Sequence, residues 1–451
     1  MRRTVRLHDT RTGKVLPVQP DADGVVGIYA CGPTVYGRIH VGNARPYVVF
    51  SLLARLLVHD GYKVTFVANL TDVNDKIYAA AQTAGVGSEE LARDMIDAYI
   101  ADTDRLGLGR PDFEPRASAT IAEIVELIEE LLEGGHAYAV DGDVYFSVRT
   151  YPRYGEISHR NLDDMDQGEG IEGADRKRDP ADFALWKAEK PGEDTAWDAP
   201  WGRGRPGWHI ECSAMAEEIL GLGFSIHGGG ADLIFPHHEN EAAQTGAAHD
   251  APLAQLWVHN GMVRLDQAKM SKSVGNIFLL HQALDAYGRD ALIMYFCGGH
   301  YRQPIEFDDE RLVEARARVG RITEAARRLT ARPSPAWSAP LRERFFDVLD
   351  DDYNTPAALA AVFEWVREAN RSEPGSGDAD LREMLGVLAL DNLLDAPIAD
   401  APAEVVELAD ARERARAARD YAEADRLREV IKAHGWEVRD GPDGPELLPA
   451  A

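Results

Sequence analysis

The sequence predicts an α/β fold: a Rossmann-type parallel-sheet domain that carries an α+β insertion, followed by a helical bundle and a small C-terminal region. Three observations carry that expectation. A strand, a helix and a second strand follow one another within about 45 residues near the N-terminus, the spacing of a βαβ unit. Helix and hairpin signals interrupt that rhythm between residues 119 and 201. Strand signals fade after residue 308, where long helical patterns take over.

The first strand is "GVVGIYA" (24–30), an apolar, β-branched run. A Gly/Pro loop follows, and then "ARPYVVFSLLARLLVHDG" (44–61), where Val49, Leu52, Leu53, Leu56 and Leu57 recur at helical spacing until Gly61 stops the helix. "KVTFVANL" (63–70) is the second strand. Parallel strands joined this way bind ligands at their C-terminal ends. "ATIAEIVELIEELLE" (119–133) reads as a helix, and "AYAVDGDVYFSV" (137–148) as a hairpin with Asp141-Gly142 at its turn. Residues 119–201 are therefore read as an insertion into a domain made of 1–118 and 202–255. The α/β pattern resumes through "GFSIHGGGADLIF" (223–235) and "LAQLWVHNGMV" (253–263). "DDDYNTPAALAAVFEWVREANR" (350–371) starts a helix with Asn354 or Thr355 as N-cap and Pro356 in the first turn. One further amphipathic helix, 403–434, is expected before a short tail.

At 451 residues the chain has room for roughly three domains of about 150 residues. Its net charge of −27 opposes nonspecific adhesion to phosphate backbones, so a nucleic-acid partner must be held by local basic patches and by shape. DNA is not an expected partner. The N-terminus lacks the apolar run of a signal peptide, and no stretch of 18 uninterrupted apolar residues suggests a membrane span, so a cytoplasmic protein without a membrane partner is expected. Three widely separated cysteines, Cys31, Cys212 and Cys297, argue against a disulfide framework and leave thiol or metal chemistry open.

Five stretches carry chemistry. His40, Gly42 and Asn43 lie where the first loop enters its helix, a ready anion site that suits a nucleotide phosphate, although a Gly-rich turn with an incidental histidine has the same pattern. "KMSKSVGN" (269–276) sets Lys269 and Lys272 on a Gly/Ser loop, suited to charge developing on a transferring phosphate. The glycines of "IHGGGAD" (226–232), Gly229 and Gly230 among them, would admit an adenine or ribose, with Asp232 accepting from a hydroxyl, although a plain strand-to-loop turn has the same pattern. Cys31, Cys212 in "WHIECSAMA" (208–216) and the side chains of "FPHHENE" (235–241) would together suit one tetrahedral zinc ion, yet no CxxC or HExxH spacing marks it and isolated cysteines commonly pack in cores. On a helix, Glu241 shares a face with His237 and with His238, while the two histidines diverge. Trp208 suits a pocket wall or a core, and Cys297 a core.

Taken together these segments resemble the cysteinyl-tRNA synthetases, a family of class I aminoacyl-tRNA synthetases. "YACGPTVYGRIHVGNAR" is similar to the family's first signature, with His40 to Asn43 in its HIGH-type position, and "KMSKS" at 269–273 matches the second. "NLTDVNDKI", "ADFALWK", "WDAPWGRGRPGWHIECSAMA", "HGGGADLIFPHHENEAAQ" and "DDDYNTPAALAAVFE" resemble further family segments in the family's order, from about 24 to 366. Gly37 stands where members commonly have Asp, and Gln267 where Gly is frequent. The resemblance implies a Rossmann catalytic domain split by a connective insertion, a stem-contact region with the KMSKS loop (256–318), a helical bundle (319–402) and an anticodon-binding region (403–451). It implies one Zn²⁺ per chain held by Cys31, Cys212, His237 and Glu241, a cysteine pocket containing Thr71 and Trp208, and an ATP contact at Lys272. ATP with Mg²⁺, L-cysteine and tRNA(Cys) are the implied substrates of a monomer. His40, Asn43, Lys269 and Lys272 fall to catalysis, while His238 and Glu239 are left as candidates either for supporting the ligands or for the nucleotide side. On the last helix, Arg412, Arg416, Arg419 and Arg426 fall near one face that could track tRNA phosphates, although the interspersed acidic residues equally suit a plain solvated face.

Three other readings compete. A tRNA-independent cysteine ligase with an amino-sugar acceptor would use the same core; the regions after residue 308 favour the tRNA enzyme. A zinc hydrolase with Glu239 or Glu241 as general base lacks HExxH. A catalytically silent RNA-binding relative would not need both His40 and Lys272.

Overall fold

In a computed structural model of the chain, the residues described are 3–162, 175–265, 268–269, 278–395, 401–441 and 444–449. At the centre lies a four-stranded parallel sheet in the order Ala254–Asn260, Phe224–Gly230, Val25–Ala30, Lys63–Ala68. Register aligns Ile28 with Ile226 on one side and with Phe66 on the other. From Val25–Ala30 the chain crosses through helix Val41–His59 to one edge, and from Phe224–Gly230 through helix Glu239–His249 to the other. The winding reverses between the two central strands. Their C-terminal ends open the crevice where ligands of such sheets bind.

Helix Val41–His59 packs Phe50, Leu53, Leu56 and Leu57 into the core against the sheet and stops at Gly61, which takes φ +84°. It is long and apolar enough to cross a membrane by composition, but most of it is buried inside the protein. Beneath its first turn, Arg45 is only 1% exposed and its guanidinium donates to five backbone carbonyls: Gly261, Met262, His300, Tyr301 and Gln303. Those carbonyls flank the strand Val263–Leu265 that leads into the second signature. One side chain thus ties the first signature's helix to the approach of the second.

The interrupted rhythm after 119 is a separate antiparallel sheet, ordered Ala137–Val140, Asp143–Phe146, Phe183–Ala188, Gly204–Pro206, with helix Ile121–Glu133 packed on it. Asp141 and Gly142 both take positive φ, as a two-residue hairpin turn requires. The sheet's last strand runs to Pro206, five positions past 201, and delivers the chain directly into helix Trp208–Leu220.

Beyond the sheet, helices Asp309–Ala326, Ala339–Asp350, Thr355–Arg371 and Ala379–Val387 pack around Trp365, whose indole N–H donates to Ser338 Oγ. Asn354 caps its helix by accepting from the Ala357 N–H. The C-terminal region corrects the expectation of one helix over 403–434. There are two, Ala403–Ala417 and Tyr421–Ala433, broken where Arg419 takes φ +59° and Asp420 caps the second. The tail after 435 is a hairpin, Trp436–Gly441 with Gly444–Pro449. The expected arginine stripe is largely consumed inside the chain: Arg412 and Arg416 pair with Asp440, and Arg426 with Glu423. A second hairpin, Arg6–Asp9 with Lys14–Pro17, was not anticipated.

Candidate functional site

Cys31 is the first residue past a central strand, its N–H donating to the Gly228 carbonyl of the neighbouring strand. Gly32 follows because a Cβ there would overlap the Asn69 carbonyl oxygen. Cys212 lies on the first turns of helix Trp208–Leu220, and His237 and Glu241 lie four apart where the chain enters helix Glu239–His249. One ligand atom from each of the four falls within 4.8 Å of every other, and all four residues are buried. Cys31 Sγ is 3.5 Å from His237 Nε2 and 3.6 Å from Glu241 Oε1, and His237 Nε2 is 2.9 Å from Glu241 Oε1. The open choice between two histidines beside Glu241 is thereby narrowed, since His238 Nε2 stands 4.0 Å from that oxygen. A second set, Cys31, His227, His238 and Glu241, meets the same distance limit. Only the first contains two sulfurs.

A ring of buried polar groups holds these side chains. His209 Nδ1 lies 2.9 Å from His237 Nδ1, and Trp208 stacks on the His237 ring at 4.2 Å. Trp208 is thus a half-buried wall of the cluster and not a core residue. His227 Nε2 contacts Glu241 Oε2 at 3.1 Å and its ring stacks on Tyr29. His238 Nδ1 meets His259 Nε2 at 2.7 Å, and His259 Nδ1 meets Thr10 Oγ1 at 2.7 Å. Glu239 is turned away: its carboxylate accepts the N–H groups of Gly155, Ile157 and Ser158 and so anchors the insertion to the core. That engagement removes Glu239 as the general base of a hydrolase.

Electrostatics differ sharply among the four. Burial, then the neighbouring Cys212, pushes the Cys31 thiol well above the usual range. Cys212 is drawn down to about 6, chiefly by the hydrogen bond from Cys31. Burial opposes charge on His237, but Glu241 and Cys212 outweigh it and raise the imidazole to about 10. Glu241, despite burial, is held well below the usual carboxylate range by His237 and His227. Burial pushes His209 and His238 well down and Glu211 well up. Cys297 packs in the core as expected, its thiol raised to about 12 by burial.

On the other side of the same crevice, His40 is the N-cap of helix Val41–His59. Its Nδ1 accepts the Asn43 N–H at 3.3 Å while Asn43 Oδ1 accepts the His40 N–H at 3.2 Å. With Nδ1 accepting, the ring proton resides on Nε2, which makes that nitrogen a donor. Gly42 is required for this pose, since a Cβ there would stand 2.9 Å from the His40 ring. Gly229 and Gly230 end the strand beside Cys31's own, and Asp232 is exposed just beyond them. Thr71 is buried, bridged to Thr34 across the opening. The backbone of Lys269 pairs with Arg264 in a short antiparallel ladder. Lys272 and Gln267 lie outside the described residues.

Sequence reasoning passed over Arg45, His209, Glu211, His227 and His259, all buried here. His209 and Glu211 sat inside "WHIECSAMA", and a His and a Glu flanking a cysteine were the available signal.

Residues 17–317 match the family described as the tRNA synthetases class I (C) catalytic domain, and residues 344–390 match the DALR domain. Among solved structures, the methionyl-tRNA synthetase of Mycobacterium tuberculosis with methionyl-adenylate aligns with a TM-score of 0.61 at 18% identity, over 83% of this chain and 91% of that one. A leucyl-tRNA synthetase of Agrobacterium radiobacter K84 aligns at 0.61 and 13% identity, over 84% and 85%. A reversed parallel sheet with a capped His40 loop at its mouth, matched by that catalytic-domain family, makes this chain a class I aminoacyl-tRNA synthetase. The cysteine-tRNA ligase of Pseudothermotoga lettingae is 44% identical over 455 residues, and that of Halorhodospira halophila 45% identical over 454, each alignment covering 98% of both chains. Within the class, the chain belongs to the cysteine-tRNA ligase family.

Proposed function

We propose that the protein activates L-cysteine with ATP to cysteinyl-adenylate and transfers the cysteinyl group to the 3′ end of tRNA(Cys). The observation that carries this reading is the buried quartet Cys31, Cys212, His237 and Glu241 at the mouth of a nucleotide-type crevice. The donor set fits zinc: two sulfurs, an imidazole nitrogen and a carboxylate oxygen, gathered close enough to surround one small ion. Bound there, Zn²⁺ would take the substrate thiol as a thiolate ligand. That supplies a discrimination shape cannot, because serine differs only by oxygen for sulfur and a pocket separates such small differences by about 10- to 200-fold. Thr71 and Trp208 line the cysteine side of the crevice in this reading.

The chain's own groups carry the rest. His40 Nε2 donates to an ATP phosphate oxygen at the positive end of helix Val41–His59, and Asn43 holds the ring in that pose. The cysteine carboxylate attacks the α-phosphate in line, while His40, Lys269 and Lys272 stabilise the developing charge and pyrophosphate leaves with Mg²⁺. Gly229, Gly230 and Asp232 receive the nucleoside. Residues 256–318 are assigned to the tRNA stem and 403–451 to the anticodon loop, with the protein acting as a cytoplasmic monomer.

Cysteine-dependent ATP/pyrophosphate exchange, run beside charging of tRNA and of an amino sugar, tests this directly. Exchange with tRNA charging is expected. Exchange with amino-sugar ligation alone would overturn the acceptor, and no exchange by metal-loaded protein would overturn the activity.

A further inference from the structure

Glu211 belongs neither to the quartet nor to its ring of supporting histidines, yet it is 0% exposed and, apart from the influence of the Thr71 hydroxyl, neither of its carboxylate oxygens has a hydrogen-bond partner. Among the described residues it is the sole buried carboxylate with both oxygens in that state. The other acids around the crevice are engaged. Glu241 faces two histidines, Glu239 accepts three backbone N–H groups, and Asp72 accepts the N–H and the hydroxyl of Ser118. A buried carboxylate left without donors is a strongly unfavourable arrangement unless something else supplies them.

Its position says what that would be. Trp208, Glu211 and Cys212 stand at i, i+3 and i+4 on helix Trp208–Leu220 and therefore share one face. Trp208 stacks on His237 and Cys212 belongs to the quartet, so this face is a wall of the cluster. The groups acting on Glu211 are Cys212, Asp72, His237 and the Thr71 hydroxyl, which lines the same opening. Glu211 thus neighbours both the sulfur-bearing quartet, through Cys212 and His237, and Thr71. In cysteine, the α-ammonium is borne by the carbon next to the one that bears sulfur. A cysteine with its sulfur at the quartet brings a cation with three N–H donors to this wall.

We propose that the Glu211 carboxylate accepts the α-ammonium of the amino-acid substrate, a specificity-determining contact that rests on the reading of cysteine as substrate. The quartet then recognises a thiol, and Glu211 recognises that the thiol belongs to an α-amino acid. Thiols without the amine, or with it acylated, leave Glu211 unmatched.

The test is calorimetric titration of the full-length, metal-loaded protein with L-cysteine and with 3-mercaptopropionate, which is cysteine without its amino group. Wild type, Glu211→Gln and Glu211→Asp are compared, with bound metal and thermal midpoint measured for each. Glu211→Gln is expected to weaken cysteine about 10- to 100-fold, the loss of one charge-assisted contact. Its affinity for 3-mercaptopropionate and its metal content are expected to stay at wild-type values. Glu211→Asp, with the charge kept and drawn back, is expected to recover part of the cysteine affinity, and it carries the comparison should the glutamine variant fold poorly. Equal weakening of both ligands would make Glu211 a structural residue and overturn the proposal. So would unchanged cysteine binding by Glu211→Gln, which would leave the cysteine reading standing. A wild type that binds no cysteine would overturn both.

Discussion

His209 and His237 face each other through their Nδ1 atoms at 2.9 Å, and this contact leaves Nε2 of His237 directed at Cys31 and Glu241. One of the two Nδ1 atoms must donate. His209, whose own charged form is strongly disfavoured by burial, serves as the acceptor that holds His237 in the tautomer with a lone pair on Nε2. His209→Ala is expected to lower metal affinity about 10- to 100-fold, the range for such supporting contacts. Competition with a chelator measures it; unchanged affinity would refute the assignment.

Metal uptake by the stripped protein should release protons in a number set by the quartet. At about pH 7.5 Cys31, raised well above its usual value, is a thiol, and His237, raised to about 10, is an imidazolium. Cys212, lowered to about 6, is already a thiolate, and Glu241 a carboxylate. Binding therefore displaces about two protons, and about three once the pH falls below 6 and Cys212 is protonated too. The buffer dependence of the binding enthalpy counts them. A release near four at pH 7.5 would contradict the charge distribution.

Arg45 donates to five carbonyls and is almost wholly buried. Arg45→Met leaves those carbonyls unmatched and is expected to cost about 3 kcal/mol or more of stability. Arg45→Lys recovers only part, because an ammonium lacks the planar fork that spans them. Urea unfolding of the catalytic region reads the difference, and a cost within about 0.5 kcal/mol would show the clamp to be dispensable.

A Cβ at Gly32 overlaps a backbone oxygen, that of Asn69, so no side chain can rotate aside to admit it. Gly32→Ala should displace Cys31, the preceding residue, and lower both the bound metal per chain and cysteine-dependent exchange at least about tenfold, alongside about 1–3 kcal/mol of overpacking cost. Full metal content in that variant would argue that the loop accommodates the methyl group elsewhere.

Local pattern made much of this legible. The helix over Val49, Leu52, Leu53, Leu56 and Leu57 follows from periodicity, and the pairing of His237 with Glu241 from their four-residue spacing. Choosing His237 over His238 required the family resemblance, because the spacing alone permits both. Features created by long-range packing were not legible. Nothing local marks Glu211 as buried; groups far from it in sequence, Thr71, Asp72 and His237, surround it only in the folded chain. Arg45 reads as the end of a signature until carbonyls from residues 261–303 surround it. The break near Arg419 has no glycine to announce it, and the helical period runs straight through.

The quartet also has an order in time. Cys31 and Glu241 are separated by 210 positions, with the whole insertion between Cys31 and Cys212. At about 5–20 residues per second of synthesis, Glu241 emerges roughly 10 to 40 s after Cys31. Throughout that interval the nascent chain carries a bare thiol and an unfinished sheet, since the strands on either side of Phe224–Gly230 cannot join until it is made. An ion that needs all four of these side chains can therefore be gripped only late in the birth of the catalytic domain, once Glu241 has joined Cys31 and Cys212.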